Sequence, residues 1–367
     1  MRKYPKLISD LPSSVPFVGP ESQERSRLTK FVARIGANEN VFGPSPEVID
    51  AISGSSSDIW MYGDPENYDL KLALSKHHGI SVENIAVGEG IDGLLGYLCR
   101  LLVEPGVNVV TSKGAYPTFN YHVTGFGGNL HFVDYKKDFE DLDGLLLKAK
   151  KTNAAIIYLA NPDNPMGTWH ESSAIEEMIE HLPETTLLCL DEAYSEFVPF
   201  QERAQCSLLH PKVIRFRTFS KAYGMAGARV GYAIGPQDLI KSFDKIRNHF
   251  GINIIAQKAA LAALKDQKYL SKVLKLVEHS KIEIARIANS FSLKPIPSFA
   301  NFVSIDCGRD ELFAQNVLKG LVSRNIFVRM PFFSPQNRCI RISAGKPEDL
   351  QHFETALSLV LKELHQN

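Results

Sequence analysis

Three strand-like runs, residues 155–159, 186–190 and 213–217, each stop abruptly in a polar cluster: Asn161-Pro162-Asp163-Asn164, Asp191-Glu192-Ala193-Tyr194 and Thr218-Phe219-Ser220-Lys221. Short hydrophobic runs of this kind belong to strands buried on both faces, the strands of parallel sheets covered by helices. In open α/β sheets, ligands bind outside the carboxyl ends of such strands, where the connecting loops converge. The pattern therefore predicts an α/β fold with a mostly parallel sheet and a site built from these three clusters.

The flanking segments keep the same alternation. Their spacing predicts a helix over 68–77, a short strand over 84–87, an apolar helix over 91–102, and strands over 107–111 and 130–134. A long helical region covers about 236–291, and strands near 302–305, 327–329 and 340–342 then alternate with helices, as in an α+β unit. Residues 11–46 are rich in Pro, Gly and Ser with little periodicity, and read as an irregular arm that ends at a helix start near Ser45-Pro46. At 367 residues the chain exceeds one small core. We expect a large domain over 47–240 and a small α+β domain formed by 1–46 and 241–367.

Composition narrows the partners. Forty-one basic residues balance forty-one acidic ones, so the charge points to neither nucleic acid nor an anionic membrane. No apolar run approaches the roughly 20 residues that span a bilayer, and the N-terminus lacks an apolar signal core. A cytoplasmic location is expected. Cys99, Cys189, Cys206, Cys307 and Cys339 are scattered without a CxxC pair and read as small core hydrophobes in a reducing compartment. The histidines show no ligand spacing, and no metal is expected. Gly88-Glu89-Gly90-Ile91-Asp92-Gly93 fits GxGxxG literally, yet a dinucleotide site needs an acid at the end of the next strand, and that strand ends in Thr111-Ser112-Lys113. These glycines still free backbone amides at a helix N-terminus, where any phosphate can bind.

Four elements in order resemble the aspartate-aminotransferase superfamily, the class I/II pyridoxal-phosphate enzymes. They are Asn161-Pro162-Asp163-Asn164-Pro165-Met166-Gly167, Asp191-Glu192-Ala193-Tyr194, Ser220-Lys221 with Arg229 eight residues beyond the lysine, and Arg341 in Cys339-Ile340-Arg341-Ile342-Ser343. Gly36-Ala37-Asn38-Glu39-Asn40, Gly88-Glu89-Gly90-Ile91, the run Asp191 to Phe197 and the position of Arg329 narrow the resemblance to the histidinol-phosphate aminotransferase-like branch. It covers nearly the whole chain. It implies a fold-type-I architecture, pyridoxal 5′-phosphate as cofactor, and small-molecule amino donors and 2-oxo acid acceptors.

The resemblance also distributes roles, and the chemistry explains each residue type. Lys221 carries the cofactor as a Schiff base. Its neutral amine is the nucleophile, so its pKa must be lowered. Asp191 ends an apolar strand, and a buried carboxylate needs a cationic partner; the resemblance supplies the protonated pyridine nitrogen. Tyr194 and Asn164 hydrogen-bond the ring oxygen. Ser220, the Arg229 fork and the backbone of Gly88, Glu89 and Gly90 hold the phosphate, while Tyr116 stacks on the ring. Tyr62 reaches the phosphate of a neighbouring subunit, which implies a homodimer with shared active sites. Arg341 grips a substrate carboxylate, Arg329 reads a distal phosphate, and Asn40 joins them in binding substrate. Pro16-Phe17 stands where this branch commonly has Pro-Tyr, and a phenyl ring cannot donate to a phosphate. The expected activity is transamination between an amino acid or histidinol phosphate and a 2-oxo acid such as 2-oxoglutarate. An aromatic amino-acid aminotransferase, or a pyridoxal-phosphate lyase or decarboxylase on the same fold, stays open as an alternative. A DNA-binding regulator is disfavoured by length and charge.

Overall fold

The computed structural model describes residues 4, 6–9, 11, 18–203 and 207–366. Its strands are β1 (Ala33–Arg34), β2 (Ile85–Gly88), β3 (Asn108–Ser112), β4 (Asn129–Val133), β5 (Ile156–Ala160), β6 (Leu187–Asp191), β7 (Val213–Thr218), β8 (Gly231–Ile234), β9 (Lys294–Pro295), β10 (Phe302–Asp306), β11 (Ile326–Phe327) and β12 (Cys339–Ser343). Seven form one sheet in the order β2-β8-β7-β6-β5-β3-β4, in which β8 alone runs against its neighbours.

The three runs that dominate the sequence are β5, β6 and β7, side by side at the centre of this sheet. Alternation along each strand divides its side chains between two cores. Ile156, Tyr158, Ala160, Cys189, Ile214 and Phe216 pack on one face, and Ile157, Leu159, Leu188, Leu190 and Val213 on the other. Each such large side chain removed from water contributes roughly 1.5–3 kcal/mol. Burial on both faces is why these segments show no polar alternation in sequence. The GxGxxG segment belongs to β2 and the helix Gly90–Leu102. Because β2 lies at the sheet edge with β8, β7, β6 and β5 between it and β3, no dinucleotide-type βαβ pair forms.

A second sheet, β12-β10-β9, is antiparallel, and β1 pairs in parallel with β11. One core joins them to the helices Gln267–Ser290, Glu311–Ser323 and Pro347–Gln366. Three expectations need correction. The arm is not wholly irregular: Pro20–Arg27 is a helix, opened by Pro20 with Glu21 in its first turn and closed by Arg25 and Arg27. Its surface is polar almost all round, so no apolar period marks it in sequence. The helical stretch 236–291 is three helices, because Asn253 caps Ala256 at 2.8 Å and Asp266 caps Tyr269 at 2.9 Å. β8, short and flanked by Gly231 and Gly235, was not foreseen. Ser45 does cap the helix Pro46–Gly54, as the sequence suggests. Among the described residues no helix is long and apolar enough to cross a membrane.

The ends of β6 and β7 are stapled by charge. Buried Glu192 meets Arg215 Nη1 at 2.5 Å and Arg217 Nε at 2.7 Å, while its amide donates to Phe216 O at 2.9 Å. Burial opposes ionisation of Glu192, but Arg217 and Arg215 outweigh it and hold the carboxyl down at about 2. Glu192→Gln leaves two buried guanidinium groups undercompensated and should lower the unfolding free energy by about 3–5 kcal/mol in urea melts at neutral pH. Because the folded pKa lies below the unfolded one, this stabilisation is full above the unfolded value of 4.5 and is lost as pH falls through about 2. The gap between the two proteins should close over that window.

Candidate active site

A cavity of about 370 Å³ opens at the carboxyl ends of β5, β6 and β7 and is lined from both sheets. Tyr116, Asn164, Asp191, Tyr194, Ser220, Lys221, Arg229, Arg329 and Arg341 all face it, so nine residues singled out in the sequence meet in one place.

Asp191 closes β6 at 5% exposure. Its Oδ2 accepts from Tyr158 Oη at 2.7 Å and its Oδ1 from Ala193 N at 3.0 Å. It has no cationic partner among the described residues. Burial pushes its pKa up to about 6, against the pull of those two hydrogen bonds. Tyr158 was missed in the sequence. Its signal was a hydroxyl in an otherwise aliphatic buried strand, which requires a partner.

Tyr194 is buried, and its hydroxyl accepts from Asn38 Nδ2 at 3.0 Å and Asn164 Nδ2 at 3.4 Å. Both amide orientations are fixed from the far side. Asn38 Oδ1 accepts from Ser343 Oγ at 3.0 Å, and Asn164 Oδ1 accepts from Arg341 Nη1. With both acceptor directions occupied, the Tyr194 hydroxyl has its own proton left to donate into the cavity. Burial holds that phenol up at about 12, so it is neutral.

Lys221 Nζ donates to Asn38 O at 3.2 Å and lies 5.8 Å from the Tyr194 ring centroid. Burial, then the charge of Arg341, pushes the amine down to about 8. Arg341 stands over Phe302 at 5.1 Å and also donates to Gly36 O at 3.4 Å. Its Nε is buried without a partner among the described residues. Burial and the nearby Arg329 depress it to about 10, although Tyr194 pulls the other way. The two arginines are backbone neighbours: Arg341 N donates to Arg329 O at 2.6 Å across an antiparallel bridge. Arg329 Nη2 also donates to Val18 O at 3.1 Å.

Ser220 Oγ accepts from Arg229 Nη1 at 3.4 Å. Arg229 crosses the start of the helix Gly90–Leu102, where Gly90 has φ +76° and a Cβ would lie 2.5 Å from Arg229 Nη2. A side chain there would displace the guanidinium, and the positive φ favours glycine whatever the space. Gly88 and Glu89 lead into this turn, and Ile91 and Asp92 from its first residues reach the cavity wall. Asp92, also missed, accepts from Tyr116 Oη at 3.2 Å and so fixes that ring.

Two residues fall elsewhere. Both ends of the Asn40 amide are engaged by backbone: Nδ2 donates to Lys221 O at 3.1 Å and Ala222 O at 3.0 Å, and Oδ1 accepts from Phe42 N at 3.1 Å. Asn40 therefore braces the Lys221 turn, and its expected contact with substrate is corrected. Its neighbours Asn38 and Glu39 line the cavity instead. Tyr62 is 80% exposed, its ring tilted by 42° against that of Phe250 at a centroid distance of 4.8 Å, outside this cavity. Phe17 lies outside the described residues.

Comparison with known proteins agrees with this arrangement. Residues 32–357 match the family described as aminotransferase class I and II. The chain is 32% identical over 361 residues to histidinol-phosphate aminotransferase 2 of Carboxydothermus hydrogenoformans, covering 97% of this chain and 99% of the relative. It is 33% identical over 347 residues to histidinol-phosphate aminotransferase 1 of Nitrosococcus oceani, covering 94% and 92%. The crystal structure of histidinol-phosphate aminotransferase from Sinorhizobium meliloti, in complex with pyridoxal-5′-phosphate, superposes with a TM-score of 0.95 at 50% identity over 99% of both chains. An aspartate aminotransferase from Thermus thermophilus shares the fold, with a TM-score of 0.81 at 20% identity over 98% of this chain and 100% of its own. The fold is thus fold-type I.

The depressed amine is directly testable. Competitive acylation of the cofactor-free protein with peptide mapping should give Lys221 a titration midpoint near 8, where an ordinary lysine titrates near 10.5. Arg341→Leu should move that midpoint upward, since the charge that opposes protonation is gone. A Lys221 that titrates with the surface lysines contradicts the described environment.

Proposed function

The chain belongs to the class I and II aminotransferases, and from that premise we propose that it moves an amino group between histidinol phosphate and a 2-oxo acid such as 2-oxoglutarate, with pyridoxal 5′-phosphate as cofactor. The observation that carries this reading is the Arg329–Arg341 bridge, which turns two guanidinium groups toward one cavity. Guanidinium forks match phosphate and carboxylate oxygens, so a substrate with an anionic group at one or both ends is favoured. 2-Oxoglutarate has two such ends, and histidinol phosphate has one dianionic end.

The residues present fit the cofactor. Asp191 is a buried carboxylate in need of a cation, Tyr194 has a proton to donate, and Lys221 is an amine with a lowered pKa. Ser220, Arg229 and the tight Gly90 turn offer donors for its phosphate. When bound, pyridoxal phosphate supplies an electron sink for the charge left on the substrate Cα. Lys221 would hold the cofactor covalently, and once the amino group of the substrate displaces it, the freed neutral Nζ would take the proton from the substrate Cα. With the cofactor bound, Asp191 would favour a proton on the ring nitrogen, Tyr194 would donate to the ring oxygen, and Tyr116, steadied by Asp92, would pack against the ring. Arg341 binds the carboxylate of the 2-oxo acid, and Arg329 reads the distal anionic group.

On the same reading, residues 47–240 hold the cofactor, and 1–46 with 241–367 contribute the substrate side through Asn38, Arg329 and Arg341. A homodimer with shared sites is supported by the exposed apolar surface around Ile59, Trp60, Tyr62 and Phe250; Tyr62 then serves the partner's phosphate. A cytoplasmic location suits the free, buried thiols of Cys99, Cys189, Cys307 and Cys339. The apolar residues Met330, Pro331 and Phe332 at the cavity favour some turnover of aromatic amino acids as well.

Two experiments test these assignments. Purified protein should transaminate histidinol phosphate with 2-oxoglutarate, and Arg329→Ala should lower kcat/KM for histidinol phosphate at least tenfold while changing aromatic amino acids much less. Loss of a desolvated charge pair costs roughly 2–5 kcal/mol. Equal losses on both substrates make Arg329 structural, and a wild-type protein inert toward histidinol phosphate removes that substrate. For the dimer, inactive Tyr62→Ala and Lys221→Ala proteins, mixed under subunit exchange, should regain part of the activity. A fully active monomer by light scattering argues against shared sites.

A further inference from the structure

Three carboxylates line the cavity, and two are committed. Asp191 accepts from Tyr158 and Ala193, and Asp92 accepts from Tyr116. The third, Glu39, has no side-chain hydrogen bond or ion pair among the described residues, although its backbone is among the most firmly held around the site. Asn38 before it is buried with φ +56°, a conformation that L residues other than Asn and Asp rarely adopt. Asn38 N donates to Ser343 Oγ at 2.9 Å, its Oδ1 accepts from the same hydroxyl, and its carbonyl accepts from Lys221 Nζ and from Asn301 Nδ2 at 3.0 Å. The Glu39 carbonyl accepts from Asn301 Nδ2 at 3.5 Å. Asn40 after it is tied to the carbonyls of Lys221 and Ala222. A left-handed residue clamped on one side and a braced asparagine on the other present one uncommitted carboxylate to the cavity.

Glu39 lines the same cavity as Lys221 and Arg329. Its charge acts on Lys221 Nζ at the reacting end and on Arg329 at the distal end. An acid in that position repels 2-oxoglutarate, so it does not serve the acceptor half of the reaction. It does suit a donor whose side chain carries an N–H group or a positive charge. Resting on the substrate reading above, we infer that Glu39 selects an imidazole over a phenyl side chain on the amino substrate, its carboxylate accepting the ring N–H while Arg329 takes the phosphate. The bond involves a charged acceptor, which makes it stronger than a neutral one. A phenyl ring in the same place leaves the carboxylate facing apolar carbon, which adds a penalty against the wrong substrate.

The test uses two amino alcohol phosphates that differ only in the ring, histidinol phosphate and phenylalaninol phosphate, each with 2-oxoglutarate and cofactor-loaded enzyme. Glu39→Ala should lower kcat/KM for histidinol phosphate at least about tenfold and should lower it far less, or raise it, for phenylalaninol phosphate. Glu39→Gln keeps an acceptor oxygen and should fall between. Both substrates are read on one preparation, so partial unfolding cancels in the ratio. An unchanged ratio in both variants, with active wild-type enzyme, overturns the role of Glu39 and leaves the substrate reading intact. A wild-type enzyme that turns over neither ester while transaminating amino acids overturns the substrate reading, and this inference with it.

Discussion

The carboxylate of Asp191, the amine of Lys221 and the guanidinium of Arg341 share one cavity, and none has an opposite charge as its direct partner among the described residues. Burying an ionisable group without a counter-ion is unfavourable by several kcal/mol unless the group neutralises or is hydrogen-bonded. The three pKa displacements register that cost: Asp191 up to about 6, Lys221 down to about 8 and Arg341 down to about 10, each with burial as the main cause. In a protein stabilised by only some 5–15 kcal/mol overall, such stress is sustained only by a rigid surround. The rest of the structure can be understood as that surround.

Rigidity comes from the arrangement of the sheet. β5, β6 and β7 are buried on both faces, so their carboxyl ends cannot shift without disturbing two cores at once. Glu192 then ties β6 to β7 one residue beyond Asp191, which fixes the distance from Asp191 to the Lys221 turn. The second sheet is joined to the site through Ser343 on β12, whose hydroxyl both donates to and accepts from Asn38, and through Arg341 on the same strand. Asn38 in turn holds Tyr194 and Lys221. Substrate-side and cofactor-side residues are thereby linked by hydrogen bonds that require correct orientation of every amide along the chain.

Much of this was legible in the sequence because it obeys local rules. Uninterrupted hydrophobic runs mark buried strands, and a polar cluster after each one marks a site; β5, β6, β7 and the part of the cavity wall at their ends followed from those two rules, while Tyr116, Arg229, Arg329 and Arg341 came from the family resemblance. What escaped is non-local or unpatterned. The helix Pro20–Arg27 has no apolar stripe, so no period betrays it. Asn38, Glu39 and Asn40 are adjacent and chemically alike, and nothing in their spacing says that Asn40 faces the Lys221 backbone while its neighbours face the cavity. That distinction depends on the left-handed turn at Asn38, which is set by Ser343 and Asn301 from more than 250 residues away. Tyr158 and Asp92 were hidden for a related reason: each acts on another residue, Asp191 or Tyr116, and although the buried Tyr158 hydroxyl signals that it needs a partner, nothing in the sequence says which one.

Arg329 and Arg341 add a final consequence. They are paired across an isolated antiparallel bridge, Arg329 two residues beyond β11 and Arg341 on β12. Like charges directly opposite one another are destabilising, and the effect of Arg329 in lowering the Arg341 pKa has that repulsion as its cause. An anion that engages both groups relieves it and binds only the folded chain, so it stabilises the protein by RT ln(1 + [L]/Kd). The repulsion across the bridge and the affinity for an anionic substrate are then two measures of one interaction. Replacing Arg329 by a neutral residue removes that repulsion from the free protein while removing one of the two groups that an anion would engage, whereas replacing Arg341 also breaks its hydrogen bonds to Asn164 and Gly36. Stability and substrate affinity at this bridge are therefore opposed, which is the general condition of a site organised around charges that the fold itself does not neutralise.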